Sequence, residues 1–292
     1  MQFSLARPDE ALAESAPLAR RLAPRLCRVD PGAGTSCAWN HGLWQTLRLL
    51  GLATTPALHA EFFRAALGSL PQQQAPLSLL ISGSADYSML AVALGAVGAD
   101  AEPTVLDICD TPLMLNRWYA ERVGRPIETC RSDIFDYAPA RRFDAICTHA
   151  FLGMFPSERR PALIAKWREL LRPGGAAITV NRLRPAHAGA RVEFDAAQAR
   201  AFAATARARA AELGDALGVD PDALAREAET YAARQCAYPV RSAPELRALF
   251  EGAGFAVARL ECAPLAPALR SGVSAPTVPG DAEYAQIVAL RR

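Results

Sequence analysis

The sequence predicts an α/β protein: a doubly wound sheet of seven mostly parallel strands, the last one antiparallel, with an N-terminal helical region and a helical lid insertion. Three observations carry this expectation. From residue 76 onward, short apolar runs alternate with segments of helical spacing, the pattern of successive βαβ units. Within it, LLISGSADYSML (79–90) reads as a strand, a tight turn at Gly83 and a helix start, which brings a ligand onto the end of a parallel sheet. Later, roughly fifty residues rich in alanine and charge break the rhythm, too many for an ordinary sheet connection.

Taken in order, residues 1–75 read as helical. Apolar residues recur at helical spacing in the opening segment, in SCAWNHGLWQTLRLLGL (36–52) and in TTPALHAEFFRAALGSL (54–70), where Thr55 can cap a helix with Pro56 at its first position. PQQQAP (71–76) is a polar linker and sets a boundary near residue 76. The strands that follow are LSLLIS, TVLDIC, IETCRSD, FDAICTHAF and GGAAITVNR. Helices YSMLAVALGAVG, TPLMLNRWYAERVG and SERRPALIAKWRELL lie between them, the first two ending in glycine.

The lid insertion covers 183–241. It holds two helices with few large apolar residues, AAQARAFAATARARAAELGDAL and, after the Asp220-Pro221 start, DALAREAETYAAR. SAPELRALFEGAGF then resumes the domain as a helix, with Ser242 and Glu245 as its capping box and Gly252 and Gly254 at its end. FAVARLEC and YAQIVALRR are the final strands. Their connection (263–281) has no helical pattern, so the last strand is expected to return antiparallel.

A chain of 292 residues can bury a sizeable core as one domain with a cap. No apolar run approaches the roughly 18 residues a membrane span needs. The start, MQFSLARPDEALAES, lacks a basic segment followed by an apolar one, so a cytoplasmic protein is expected. Lys166 is the only lysine and the net charge is +2, which gives no footprint for nucleic acid or a membrane surface. Seven cysteines without a CxxC pair are expected to be buried reduced thiols, and the four dispersed histidines suggest no metal site.

The turn in LLISGSADYSML constrains its ligand. A pyrophosphate asks for further glycines where Ala85 and Tyr87 stand, so a dinucleotide is disfavoured. An adenosine without phosphate needs less: one tight turn, an acid for the ribose and polar groups for the base. Asp107, ending TVLDIC 24 residues after Gly83, supplies the acid, while Asp110 suits the cap of the next helix. Asp133 and Ile134 would meet the adenine amino group and ring; the alternative for Asp133 is a turn residue.

The succession LLISGSADYSMLAVAL, TVLDICDTPLMLN, CRSDIFDY, RFDAICTHAFLGMF, LLRPGGAAITVNR and ELRALFEGAGFAVARLE resembles the class I S-adenosylmethionine-dependent methyltransferases over 76–292, apart from the insertion. The resemblance implies S-adenosyl-L-methionine as cofactor. It places Gly83 and Ser84 under the methionine part, Asp107 on the ribose, Asp133 and Ile134 at the adenine, and His149 in the segment lining the active site. An acid usually precedes the loop in that family; here Ile81 and Ser82 do, with Asp86 as a substitute from the far side of the turn.

Methyl transfer from a sulfonium is an in-line displacement that depends on positioning and on excluding water. CAWNHGLWQ offers Trp39, Asn40, His41 and Trp44 for the substrate pocket, with His41 as a general base and an aromatic face for the sulfonium. The competing reading makes Trp39 and Trp44 core residues. Tyr87 and His149 are further pocket candidates, whereas His59 and His187 carry no comparable signal. The acceptor is expected to be a small molecule, in secondary metabolism by resemblance alone, and dimerisation through the helical front is allowed. Three alternatives stand beside methyl transfer: attack at the aminopropyl carbon, including closure to azetidine-2-carboxylate with release of methylthioadenosine; a non-catalytic cofactor-binding scaffold; and, least favoured, an NAD-dependent oxidoreductase.

Overall fold

The computed structural model describes residues 10–29, 34–71, 76–97, 101–214, 218–264 and 283–292. Seven strands form one sheet: β1 (Leu77–Ser82), β2 (Ala101–Asp107), β3 (Glu128–Arg131), β4 (Phe143–His149), β5 (Leu171–Leu183), β8 (Phe255–Pro264) and β9 (Glu283–Arg291), in the order β3-β2-β1-β4-β5-β9-β8. β9 runs antiparallel to both its neighbours, β5 and β8, and the remaining pairs are parallel. The expected strand count, direction and class are therefore present. The order reverses between β1 and β4, which puts a crevice at their carboxyl ends.

Side-chain alternation along the central strands feeds two cores. Leu79 and Ile81 of β1 join the cluster containing Phe62, Phe63 and Leu90, while Leu80 joins the one containing Trp167 and Phe250. Helices α4 (Ala60–Gly68), α5 (Ser88–Val97) and α6 (Asp110–Arg122) supply the first, and α7 (Arg160–Leu170) and α10 (Ala243–Gly252) the second. Ser242 accepts the Glu245 N–H as the expected cap, although the Glu245 carboxylate reaches the Arg241 N–H and Arg160 instead of closing the box on Ser242. Asp110 is not the cap of α6: Cys109 holds that place in extended geometry, and Asp110 is the first helical residue, facing Arg28 and Arg131.

The helical front is α1 (Glu10–Leu26), α2 (Ala38–His41), α3 (Trp44–Leu49), a 3-10 turn over Pro56–His59, and α4. The helical spacing read over 36–52 is realised as two short pieces. Gly42 separates them where the chain runs against α1; a Cβ at Gly42 would sit 3.5 Å from the Ala23 side chain and 2.8 Å from the Ala38 carbonyl oxygen. The linker at 72–75 and most of the 263–281 connection lie outside the described residues.

The insertion contributes α8 (Ala196–Leu213) and α9 (Pro221–Arg234), capped by Asp195 and Asp220, and a small ribbon of β6 (Val192–Glu193) and β7 (Cys236–Ala237). Its two ends meet, with the Arg184 N–H donating to the Val240 carbonyl at 2.7 Å. Leu43, Leu47, Leu50 and Leu52 from the front interleave with Phe202, Ala206, Leu224 and Tyr231 from the insertion in a third core. Arg20 of α1 reinforces this junction with a two-pronged pair to Glu227 of α9, at 2.5 and 2.6 Å. Front and insertion thus make one cap. Among the described residues no helix is long and apolar enough to cross a membrane.

Candidate functional site

A cavity of about 600 Å³ lies at the carboxyl ends of β1, β2, β4 and β5, under the cap. Gly83, Ser84, Asp107, Asp133, Ile134 and His149 all line it, as do Trp39, Asn40, His41 and Trp44. Ten of the eleven site candidates from the sequence therefore converge. Tyr87 does not. It is buried in the wall, stacked on Tyr119 with ring centroids 4.5 Å apart, and the Arg48 guanidinium lies 5.3 Å from its ring.

Gly83 has φ +66°, and a Cβ there would fall 2.1 Å from the Phe151 ring, so the turn leaves no room for a side chain. Phe151 follows Ala150, which itself takes a left-handed conformation at φ 57°. The Ser84 hydroxyl is spent on the Asp86 carbonyl. Asp86, the substitute acid, also lines the cavity, with one carboxylate oxygen accepting the Ser88 N–H at 2.7 Å and the other paired with Arg48 at 2.7 Å.

Asp107 accepts the Cys109 N–H at 2.8 Å, which fixes its carboxylate at the end of β2. Burial pushes its carboxyl up to about 6, against the downward pull of His41 and that N–H. Beside it, the Ile108 side chain lines the cavity although two-thirds exposed, and Met154 lines it across a similarly exposed surface. Large apolar side chains left in water at a cavity mouth suit a flat aromatic ligand. Asp133 is exposed at that same edge and accepts the Phe135 N–H at 2.9 Å, the turn role, while Ile134 is buried.

Trp39 and Trp44 serve both readings, because each lines the cavity and packs on the third core; Trp39 meets Tyr231 edge-on at 5.6 Å. The far end of the cavity holds His149, Asn181, Arg182, Arg184 and Tyr284. His59, which carried no signal, lies beside His149 at 5.5 Å and Tyr284 at 4.8 Å between ring centroids. Burial pulls His149 down to about 3, with His59 adding to the effect, and His59 itself down to about 4. Both are neutral imidazoles near neutral pH.

The expectation of scattered thiols with no ligand cluster is corrected by the fold. Cys27 at the end of α1, Cys37 and His41 on the α2 turn, and Cys109 after β2 bring their donor atoms within 4.8 Å of one another. His41, the expected base, sits in this group. Burial pulls its imidazole down, yet contact with Cys109 and Cys37 outweighs that and raises it to about 10.

Buried Arg160 was also missed. It donates to the carbonyls of Leu152, Phe155, Tyr238 and Pro239, tying the segment after β4 to the returning end of the insertion. Only the tertiary structure gathers those four acceptors, so no local pattern announces it.

No protein-family model matches the chain, and no curated protein does. Among solved structures, 1,6-didemethyltoxoflavin-N1-methyltransferase from Burkholderia thailandensis, with bound 1,6-didemethyltoxoflavin and S-adenosylhomocysteine, superposes over 99% of this chain and 92% of its own, at TM-score 0.53 and 15% identity. A S-adenosylmethionine-dependent methyltransferase from Methanosarcina mazei covers 82% of this chain and 99% of its own, at TM-score 0.50 and 14% identity. The fold is that of the class I S-adenosylmethionine-dependent methyltransferases. In this methyltransferase fold the cavity found here occupies the crevice where the strand order reverses, and the cap closes over it.

Proposed function

We propose that the protein transfers the methyl group of S-adenosylmethionine to a small-molecule acceptor enclosed beneath the cap. The observation that carries this reading is the placement of Asp107: an oriented, half-buried carboxylate at the end of β2, beside the side-chain-free turn at Gly83 and the apolar edge of Ile108 and Ile134. Asp107 would accept the ribose hydroxyls, and Ile108, Ile134 and Met154 would sandwich the adenine. Gly83 would let the backbone approach the sulfur. These residues fit an adenosine; Asp133 would add an acceptor for its amino group. The cofactor supplies an electrophilic methyl on a sulfonium.

The chain's own contribution is enclosure and orientation. Trp39 and Trp44 wall the cavity with aromatic surface, which favours a cation by roughly 0.5–2 kcal/mol. His149, neutral at working pH, can accept a hydrogen bond from the acceptor's O–H or N–H. Arg182 and Arg184 at that end favour an acceptor that carries a negative group.

Attack at the aminopropyl carbon is retained as a second reading because the amino-acid end of the site lacks its usual acid and Asp86 is engaged by Arg48. Incubating the protein with S-adenosylmethionine, with and without cell extract, and identifying the adenosine product by mass spectrometry separates these outcomes. S-adenosylhomocysteine formed only with extract supports methyl transfer. Methylthioadenosine formed without extract replaces it with the second reading, and cofactor left intact under both conditions favours a scaffold.

A further inference from the structure

We propose that Cys27, Cys37, His41 and Cys109 bind one zinc ion in a tetrahedral site that clips the helical front to the end of β2. The argument is geometric. Cys27 Sγ lies 3.6 Å from Cys109 Sγ, and Cys37 Sγ also lies 3.6 Å from Cys109 Sγ. His41 Nδ1 lies 3.4 Å from Cys27 Sγ. A zinc ion with Zn–S of about 2.3 Å and Zn–N of about 2.0–2.1 Å puts tetrahedral edges at about 3.8 Å between sulfurs and about 3.5 Å between sulfur and nitrogen. These three donor pairs stand near those edges, and all four donor atoms lie within 4.8 Å of one another.

Two simpler accounts fit less well. A disulfide needs sulfurs about 2.05 Å apart, and none of these pairs approaches that. A plain apolar packing of thiols would not bring an imidazole into the same group, since burying its nitrogen there costs hydrogen bonds with water. Three thiols and one imidazole are the donor set of a closed structural zinc site, with no position left for water. The Thr111 hydroxyl, 3.1 Å from Cys27 Sγ, offers the outer hydrogen bond that commonly orients a ligating sulfur.

The placement gives the clip its purpose. Cys37 and His41 bracket Trp39 and Asn40, which wall the cavity, and Cys109 follows Asp107 by two residues. A metal here fixes the aromatic wall against the adenosine edge, and it makes His41 a ligand instead of a base. Binding expels the thiol protons, and its free energy becomes folding free energy for α1 and α2.

The test is the metal content of the full-length protein, grown with zinc and purified without chelator, read by plasma mass spectrometry. Roughly one zinc per chain is expected, as four ligands fill one tetrahedral shell. Reconstitution with cobalt should then show thiolate charge-transfer and tetrahedral d–d absorption. Cys109→Ser and Cys37→Ser should lose both signals, while Cys262→Ser, at an exposed cysteine outside the group, keeps them. If the two variants fail to fold, the cobalt spectrum of the unaltered chain decides alone. Metal-free protein without cobalt bands, zinc retained in both variants, or a disulfide between two of the three cysteines in an unreduced digest would overturn the proposal. None of these readouts depends on the cofactor, so the site and the methyl-transfer reading can fail separately.

Discussion

Arg48 of α3 and Asp86 of the glycine turn form an ion pair of 2.7 Å in which both side chains are almost fully buried, at 7% and 2% exposure. It joins the cap to the loop that shapes the floor of the cavity. Removing one partner strands the other charge in the interior, at a cost of about 3–5 kcal/mol. Arg48→Met and Asp86→Asn should each lower Tm clearly, and the double variant should lose less than the sum. Additive losses in a double-mutant cycle by thermal unfolding would show that the pair is not coupled.

Gly83→Ala tests the turn. The new Cβ meets the Phe151 ring and the backbone must hold φ +66°, a conformation that costs roughly 1–3 kcal/mol for a non-glycine residue. Affinity for S-adenosylhomocysteine should fall at least tenfold by calorimetry. Adding Phe151→Ala should restore part of it, and a failure to do so would mean that the ring is not the obstacle.

Asp107 gives a pH signature. Its ordinary value is 3.8 and burial raises it to about 6, so the folded state prefers the protonated carboxyl. Ionising it costs stability as pH rises from about 4 to about 6, the reverse of a paired carboxylate. Accepting ribose hydroxyls requires the ionised form. Cofactor affinity should thus weaken as pH falls below about 6, and Asp107→Asn should bind more weakly with that dependence gone. An unchanged pH profile in the variant would remove Asp107 from the cofactor site.

Arg160→Lys keeps the charge and loses the fork. An ammonium cannot reach four carbonyls that a planar guanidinium spans, so buried acceptors are left unpaired at about 1–3 kcal/mol each. Tm should drop, and limited proteolysis should shift to the segment near Tyr238. A lysine variant as stable and as protected as the parent would contradict this anchoring role.

The sheet was readable because its signals are local. LSLLIS, TVLDIC and FDAICTHAF carry their own apolar runs, and Gly83, Asp107 and His149 sit at strand ends that those runs define. Tyr87 was misplaced because periodicity cannot tell which side of a helix start faces a cavity. The thiol group was invisible for another reason: Cys27, Cys37 and Cys109 share no spacing motif, and only the docking of α1 and α2 on the β2 end unites them. His59 and Arg160 belong to the same class, with partners up to 227 and 85 residues away in the chain.

The shared core of the cap also orders events during synthesis. Leu43, Leu47 and Leu50 leave the ribosome early, but their partners Phe202, Leu224 and Tyr231 emerge only after five strands of the sheet. The first helices must wait with an apolar face uncovered while the sheet assembles, and such exposed surface is where nascent chains aggregate. The front is therefore made before the sheet yet is among the last parts to be finished, and the enclosed cavity comes into being only when residues near 231 arrive.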